Sequence, residues 1–213
     1  MKAIALPDLA VRYGPVHFRE MLEQGADIDA RDGKGRTALF RTARVGRYAH
    51  LKLLLTFGAD PNQGDHTGEQ PLQAAARYGH LDCVKALVEA GANLDYCPDP
   101  ELTSYSETAL CSAVRRERSE VVDFLLEAGA SPNAATSARQ FPLIDAASNG
   151  DLEICKTLLD AGAEIDQRDI QGYTALHHAV RSQYKALINE LVEQGADVDA
   201  KDNYGFTPFI YAF

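Results

Sequence analysis

Residues 65–91 read DHTGEQPLQAAARYGHLDCVKALVEAG. Asp65 and Gly68 are turn residues, and Gly takes a positive φ at no steric cost. Pro71 suits the first turn of a helix, where its missing N–H is not needed. Leu72, Ala75 and Ala76 then fall at i, i+3 and i+4, on one helical face. Gly79 ends this helix as a left-handed cap. A second helix follows, with Leu81, Val84, Leu87 and Val88 at helical spacing, and Gly91 closes it. Helices this short are marginal alone in water. Stacking on similar units must therefore stabilise the stretch.

The sequence supplies those units. Residues 23–39 (EQGADIDARDGKGRTAL) almost return as residues 193–209 (EQGADVDAKDNYGFTPF). Gly-Ala pairs at 25, 58, 91, 129, 162 and 195 are separated by 33, 33, 38, 33 and 33 residues. A second marker keeps step: Thr37-Ala38-Leu39, Gln70-Pro71-Leu72, Thr108-Ala109-Leu110, Phe141-Pro142-Leu143, Thr174-Ala175-Leu176 and Thr207-Pro208-Phe209. The threonines offer a hydroxyl that can cap the first helix. A fixed period of this size signals stacked supersecondary units, each touching its neighbours. One domain, 1–213, is expected, with repeats at about 1–31, 32–64, 65–97, 98–135 (with five extra residues), 136–168, 169–201 and a partial 202–213.

The stretches GRTALFRTARVG (35–46), AARYGHLDCVKALVEAGANLD (75–95), LDAGAEIDQRDIQGYTALHHA (159–179) and VEQGADVDAKDNYGFTPF (192–209) resemble the ankyrin repeat, over essentially the whole chain. The resemblance implies an all-α curved solenoid, about six repeats plus the start of a seventh, with β-hairpin-like fingers on one edge. It also implies a non-enzymatic protein-binding module whose partner sits on the concave side, formed by finger tips and the exposed face of each first helix. By repeat phase those positions are Lys34, Arg36, Arg44 and Val45; His66, Glu69, Arg77 and Tyr78; Tyr105, Glu107, Arg115 and Arg116; Gln140, Ser148 and Asn149; Ile170, Tyr173 and Arg181; Tyr204 and Phe206. Arg44, Arg77, Arg115 and Arg181 are equivalent, and such an arginine ridge suits a partner with an acidic patch. Tyr and Arg are enriched at binding hot spots. Stand-alone proteins of this kind look like bacterial immunity proteins that sterically neutralise a toxin, or effectors that bind host proteins. The alternative is an N-terminal targeting domain of a larger effector, enzyme or receptor.

The pattern breaks in places. The finger glycine of Gly35, Gly68, Gly172 and Gly205 is replaced by Ser106 and Arg139, and altered third and fourth fingers are expected. The glycine between the helices (Gly46, Gly79, Gly150) is replaced by Glu117 and Gln183. The insertion YCPDPELTSYSE (96–107) reads as an extended loop. It is either a lengthened finger that contacts a partner or a tolerated surface insertion. GFTPFIYAF (205–213) starts a unit without finishing it; Phe209, Ile210 and Phe213 would seal nothing, so continuation past Phe213, or cover by another chain, is expected.

The net charge is -10, from 21 Lys+Arg against 31 Asp+Glu. That balance disfavours a nucleic-acid partner. No apolar run approaches the ~20 residues of a membrane span. Four cysteines without a CxxC suggest reduced thiols and a cytoplasmic protein. His80 and Cys83 lie one helical turn apart, but a nucleophile needs an orienting group and a pocket. Adjacent His177 and His178 point in different directions, and His177 matches the family's structural histidine. No catalytic, metal or cofactor motif is present, so no cofactor and no small-molecule substrate are expected.

Overall fold

The computed structural model describes residues 6–99, 101, 107–136 and 138–212; Tyr105, Ser106 and Phe213 lie outside them. The chain falls into two compact units, Met1–Ala109 and Leu110–Phe213. The first contains α1 (Leu6–Leu9), α2 (Pro15–Glu23), α3 (Ala38–Val45), α4 (Tyr48–Thr56), α5 (Pro71–Tyr78) and α6 (Leu81–Glu89). α7 (Ala109–Arg115) begins at the boundary. The second unit continues with α8 (Ser119–Glu127), α9 (Pro142–Asn149), α10 (Leu152–Asp160), α11 (Ala175–Arg181), α12 (Lys185–Glu193) and a 3-10 helix (Pro208–Ala212). Among the described residues there is no strand, and no helix is long and apolar enough to cross a membrane.

Within each unit first helices pack on first helices and second helices on second helices: α3 on α5 and α4 on α6 in the first, α9 on α11 and α10 on α12 in the second. Composition explains the two layers. Ala74, Ala75 and Ala76 are 0% exposed, and these small side chains let first helices approach closely. Leu51, Leu54, Leu87, Leu158, Leu187 and Leu191 fill the second-helix layer, all buried. Capping marks the helix starts. Thr37 Oγ1 accepts from Phe40 N–H at 3.2 Å. In α11 the ring of buried His177 accepts from the Thr174 N–H at 3.2 Å through Nδ1, leaving Nε2–H to donate to the Phe206 carbonyl at 3.2 Å.

The bend between paired helices needs a left-handed residue. Gly46 adopts it at φ 72, and a Cβ there would lie 2.6 Å from His80 Nδ1. Glu117 (φ 54) and Gln183 (φ 57) adopt the same bend without glycine. The residue in register over Glu117 is Asp151. Its side chain is short and turned aside to accept the Ile154 N–H at 3.0 Å, so the larger residue fits below it.

The fingers are hairpins closed by backbone bonds, Asp32 N–H to Arg36 O at 3.0 Å and Asp65 N–H to Glu69 O at 2.9 Å, and likewise at 136–140, 169–173 and 202–206. A side chain braces each from within. Asp32 Oδ1 accepts the N–H groups of Lys34 (2.9 Å) and Arg36 (3.0 Å); Asp169 and Asp202 do the same in the last two fingers. The fourth finger, where altered geometry was expected, keeps the standard turn: Arg139 takes φ 53, and Thr136 Oγ1 accepts the Gln140 N–H at 3.1 Å. The bracing side chain and the i→i+4 backbone bond hold the turn against a cost of about 1 kcal/mol. The replacement at Ser106 lies outside the described residues.

Fingers and connecting turns are also tied to their neighbours. His66 N–H donates to Lys34 O at 3.1 Å, and Asn203 N–H to Gln171 O at 3.0 Å. One row further down, the Asn133 amide donates to Gly162 O at 3.0 Å while its carbonyl accepts Glu164 N–H at 2.8 Å. Asn62 bridges to Gly91 and Asn93 in the same way.

Three outcomes are expected. Leu87→Ala lowers stability by ~2–5 kcal/mol, read as a lower Tm, because Leu87 is wholly buried. Glu117→Gly and Gln183→Gly each raise stability by about 0.5–1 kcal/mol in urea unfolding, by relieving the left-handed cost. Burial opposes ionisation of Asp32, but the Arg36 guanidinium and two backbone N–H groups outweigh it and hold its pKa at about 2, below the usual 3.8. A depressed folded-state pKa stabilises fully above the unfolded value, and the benefit is lost as pH falls from about 4 toward 2. Asp32→Asn should remove about 1 kcal/mol at neutral pH and flatten that acid limb, as followed by denaturation at stepped pH.

Candidate functional site

The finger and first-helix side of the first unit carries many of the residues singled out by repeat phase. Lys34 and His66 are exposed at finger tips. The His66 ring lies against Gly35, where a Cβ would come within 2.2 Å of it. Arg44, at the end of α3, is exposed, and its guanidinium sits 5.8 Å from the centroid of the Tyr78 ring, which is 43% exposed. Val45 is 51% exposed beside it.

The arginine ridge is not uniform. Arg77 is committed to the scaffold, 2.9 Å from Glu69 Oε1 and 4.0 Å from Glu107 Oε2. Burial pushes the Glu69 carboxyl up from its ordinary pKa, and the Arg77 charge opposes that shift. Glu107 is only 6% exposed, and its carbonyl receives the Gln73 side-chain amide at 2.5 Å; its place is in the framework rather than on the surface. Tyr105 lies outside the described residues.

In the second unit Arg115 behaves like Arg77: it donates to Gln140 Oε1 at 2.5 Å and pairs with Asp145 at 3.2 Å. Arg116 and Asn149 are exposed. Arg181 behaves like Arg44, stacking 5.0 Å over Tyr173 and 5.8 Å from Tyr211. Tyr204 (73%), Ile170 (61%) and Phe206 (46%) are exposed on or beside the last two fingers. The ridge thus divides into two ion-paired arginines and two stacked on tyrosine.

A column of residues missed by the phase argument lies beside the ridge. Arg41, Ala74, Ser112, Asp145, His178 and Tyr211 occupy one repeat position, three residues before the arginine column. Arg41 pairs with Asp8 and lies 3.7 Å from Asp32. His178 Nε2 meets Asp169 at 2.9 Å, and the Tyr211 hydroxyl donates to Asp202 at 2.5 Å and lies 3.2 Å from the Tyr173 hydroxyl. Those contacts hold Asp202 below the usual carboxylate pKa despite desolvation, and push the Tyr211 phenol up. The clue was available: a position that is Ala in one repeat becomes charged, imidazole or phenol in others.

The second-helix thiols and the His80 ring belong to the packed framework. Cys83 is 1% exposed, and burial, reinforced by Asp82, raises its thiol pKa to about 11. Burial raises that of Cys155 to about 12. The His80 ring is engaged with the Arg44 carbonyl at 3.2 Å. Among the described residues no group of three His, Cys, Asp or Glu side chains could hold a metal ion.

The family profile described as "Ankyrin repeats (3 copies)" matches residues 8–97, 51–136 and 143–213. An ankyrin repeat protein of fowlpox virus is 41% identical over 86 residues, 39% of this chain and 19% of that protein. Glycerophosphocholine phosphodiesterase of Schizosaccharomyces pombe is 40% identical over 39% of this chain and 8% of its own length. Ankyrin repeat and SOCS box protein 6 of Mus musculus is 38% identical over 44% and 22%. The matched segments therefore span less than a quarter of each of these relatives. Among solved structures, the ankyrin repeat domain of Bcl-3, a member of the IkappaB protein family, superposes with a TM-score of 0.88 at 27% identity, over 100% of this chain and 95% of that one. The human ASB11 ankyrin repeat domain gives 0.85 at 24% identity, over 99% and 92%. Period, helix pairs, braced fingers and these matches agree, and the chain belongs to the ankyrin-repeat family.

Proposed function

We propose that this ankyrin-repeat chain, whose fold is a protein–protein interaction module, acts by occupying a protein partner through the finger and first-helix side of its units. The observation that supports this reading most is the exposure of Tyr78, Arg44, Tyr204 and Phe206 on framework elements that ion pairs and finger braces hold rigid. Rigid exposed Tyr and Arg gain binding energy at low entropic cost. Lys34, Arg36, His66, Arg116, Gln140, Asn149, Tyr173 and Arg181 belong to the same proposed surface. Arg77, Arg115 and Glu69 support it from behind.

The finer form of the proposal is a stand-alone immunity protein or inhibitor that covers the active site of a toxin. It rests on the likeness to small ankyrin proteins of that kind. A second reading, a targeting domain within a longer effector, enzyme or receptor, is favoured by one finding: the matched relatives are several times longer than their matched segments. The reading frame beyond Phe213 separates the two.

The partner can be identified by affinity purification from the native host with mass spectrometry. Against it, Tyr78→Ala and Tyr204→Ala should each weaken binding by about tenfold or more, with Tm within about a degree of the parent. Unchanged affinity in both variants would overturn the surface assignment.

A further inference from the structure

Beside Tyr78 the first unit has a shallow cleft of about 290 Å³, lined by Arg36, Arg41, Arg44, Val45 and Tyr78. Three guanidiniums converge there, one from a finger and two from α3. Their conformations are fixed in different ways. Arg36 is clamped by Asp32, with Nε donating to Oδ2 at 2.9 Å and a second nitrogen 2.7 Å from the same oxygen. Arg41 is clamped between Asp8 and Asp32. Arg44 makes no ion pair among the described residues; it is steadied by the Tyr78 ring. Two of the cleft's cations are therefore positioned by salt bridges, and the third is positioned by a ring, without a salt bridge among the described residues.

We infer that this cleft is the seat for a single carboxylate side chain, Asp or Glu, within a linear segment of the protein partner, with an apolar residue of that segment lying on Val45 and Tyr78. The inference rests on the proposed partner-binding role of this surface and specifies the chemistry of what it receives. Charge decides the ligand class. Three arginines against the carboxylates of Asp8 and Asp32 leave one net positive charge. Just outside the cleft the Arg77 guanidinium is shared between Glu69 and Glu107, so the surroundings add no positive charge and weigh against any ligand carrying more than one negative charge. A carboxylate brings one negative charge and matches that excess. A phosphate monoester brings about −1.5 to −2 at neutral pH, and would leave uncompensated negative charge beside Asp32.

Shape agrees with charge. The exposed Arg44 guanidinium can offer two parallel N–H groups to a carboxylate while its face stays on the Tyr78 ring. Val45, 51% exposed, and Tyr78, 43% exposed, form an apolar wall on one side. A residue next to the acid in the partner would cover that wall. Because the arginines are already ordered, binding loses little side-chain entropy. Arg41 is the member of this set that repeat phase alone does not place on the binding surface.

The test uses the whole chain as bait in a selection from a random linear peptide library. The strongest enriched peptide is then synthesised for fluorescence anisotropy titration. The expected outcome is a consensus with one Asp or Glu next to an apolar residue. Arg44→Ala should weaken the peptide by at least about tenfold, and so should Asp→Asn or Glu→Gln in the peptide. The two changes together should cost no more than either alone, because both break one contact. Arg44 is exposed, so its variant should keep the parent Tm, which circular dichroism checks. Raising salt should weaken the parent pair more than the Arg44→Ala pair.

Enrichment of peptides without an acidic consensus, additive effects of the two changes, or no enrichment would each overturn the inference. So would tighter binding of the same peptide carrying phosphoserine in place of the acid. None of these results touches the Tyr78 and Tyr204 measurement on the native partner, so the failure of this inference and the failure of the broader surface assignment are separate observations.

Discussion

No α-helix among the described residues exceeds nine residues, and a helix of that length does not hold itself together in water. Everything else in the architecture answers that constraint. Alanines in the first helices bring backbones close, and leucines in the second helices fill the gap left on the other side. Amides of Asn62 and Asn133 bridge one connecting turn to the next. Since these contacts lie within a repeat or between adjacent repeats, stability is a sum of local terms.

The same constraint shapes the binding side. A finger is a five-residue hairpin with no strand to support it, so an aspartate or threonine braces it from inside. That brace recruits a second layer. Asp32 draws in Arg36 and Arg41, Asp169 draws in His178, and Asp202 draws in Tyr211. The arginines at the ends of the first helices are then divided according to what the neighbouring finger offers. Where it offers Glu69 or Gln140, the arginine is bound into the framework; where a tyrosine stands alongside, the guanidinium stacks and keeps its hydrogen-bonding capacity outward. Surface chemistry on this scaffold therefore follows from pairs of repeat positions rather than from single ones.

Much of this was legible beforehand. The period, the helix pairs, the left-handed bend at Gly79 and the inert character of Cys83 follow from spacing and residue type. Repeat phase also placed Arg44, Tyr78 and Tyr204 on the exposed side. The burial of Glu107 and the ion pair of Arg77 were not legible, because they depend on which side chain the next unit brings alongside. Nor was the intact fourth finger. Arg139 looked like a broken turn because glycine is the usual answer to positive φ, whereas the Thr136 hydroxyl and a backbone bond supply the missing incentive.

Glu117 and Gln183 carry a broader lesson. Both occupy the bend between paired helices without the residue that normally marks it, and both hold its left-handed φ, at 54° and 57°. Hallmark residues in such arrays are thus replaceable where the adjoining module brings a short side chain, as Asp151 over Glu117, and fixed where it brings a ring, as His80 over Gly46 and Tyr184 over Gly150. Counting modules by those residues will find fewer than the coordinates contain.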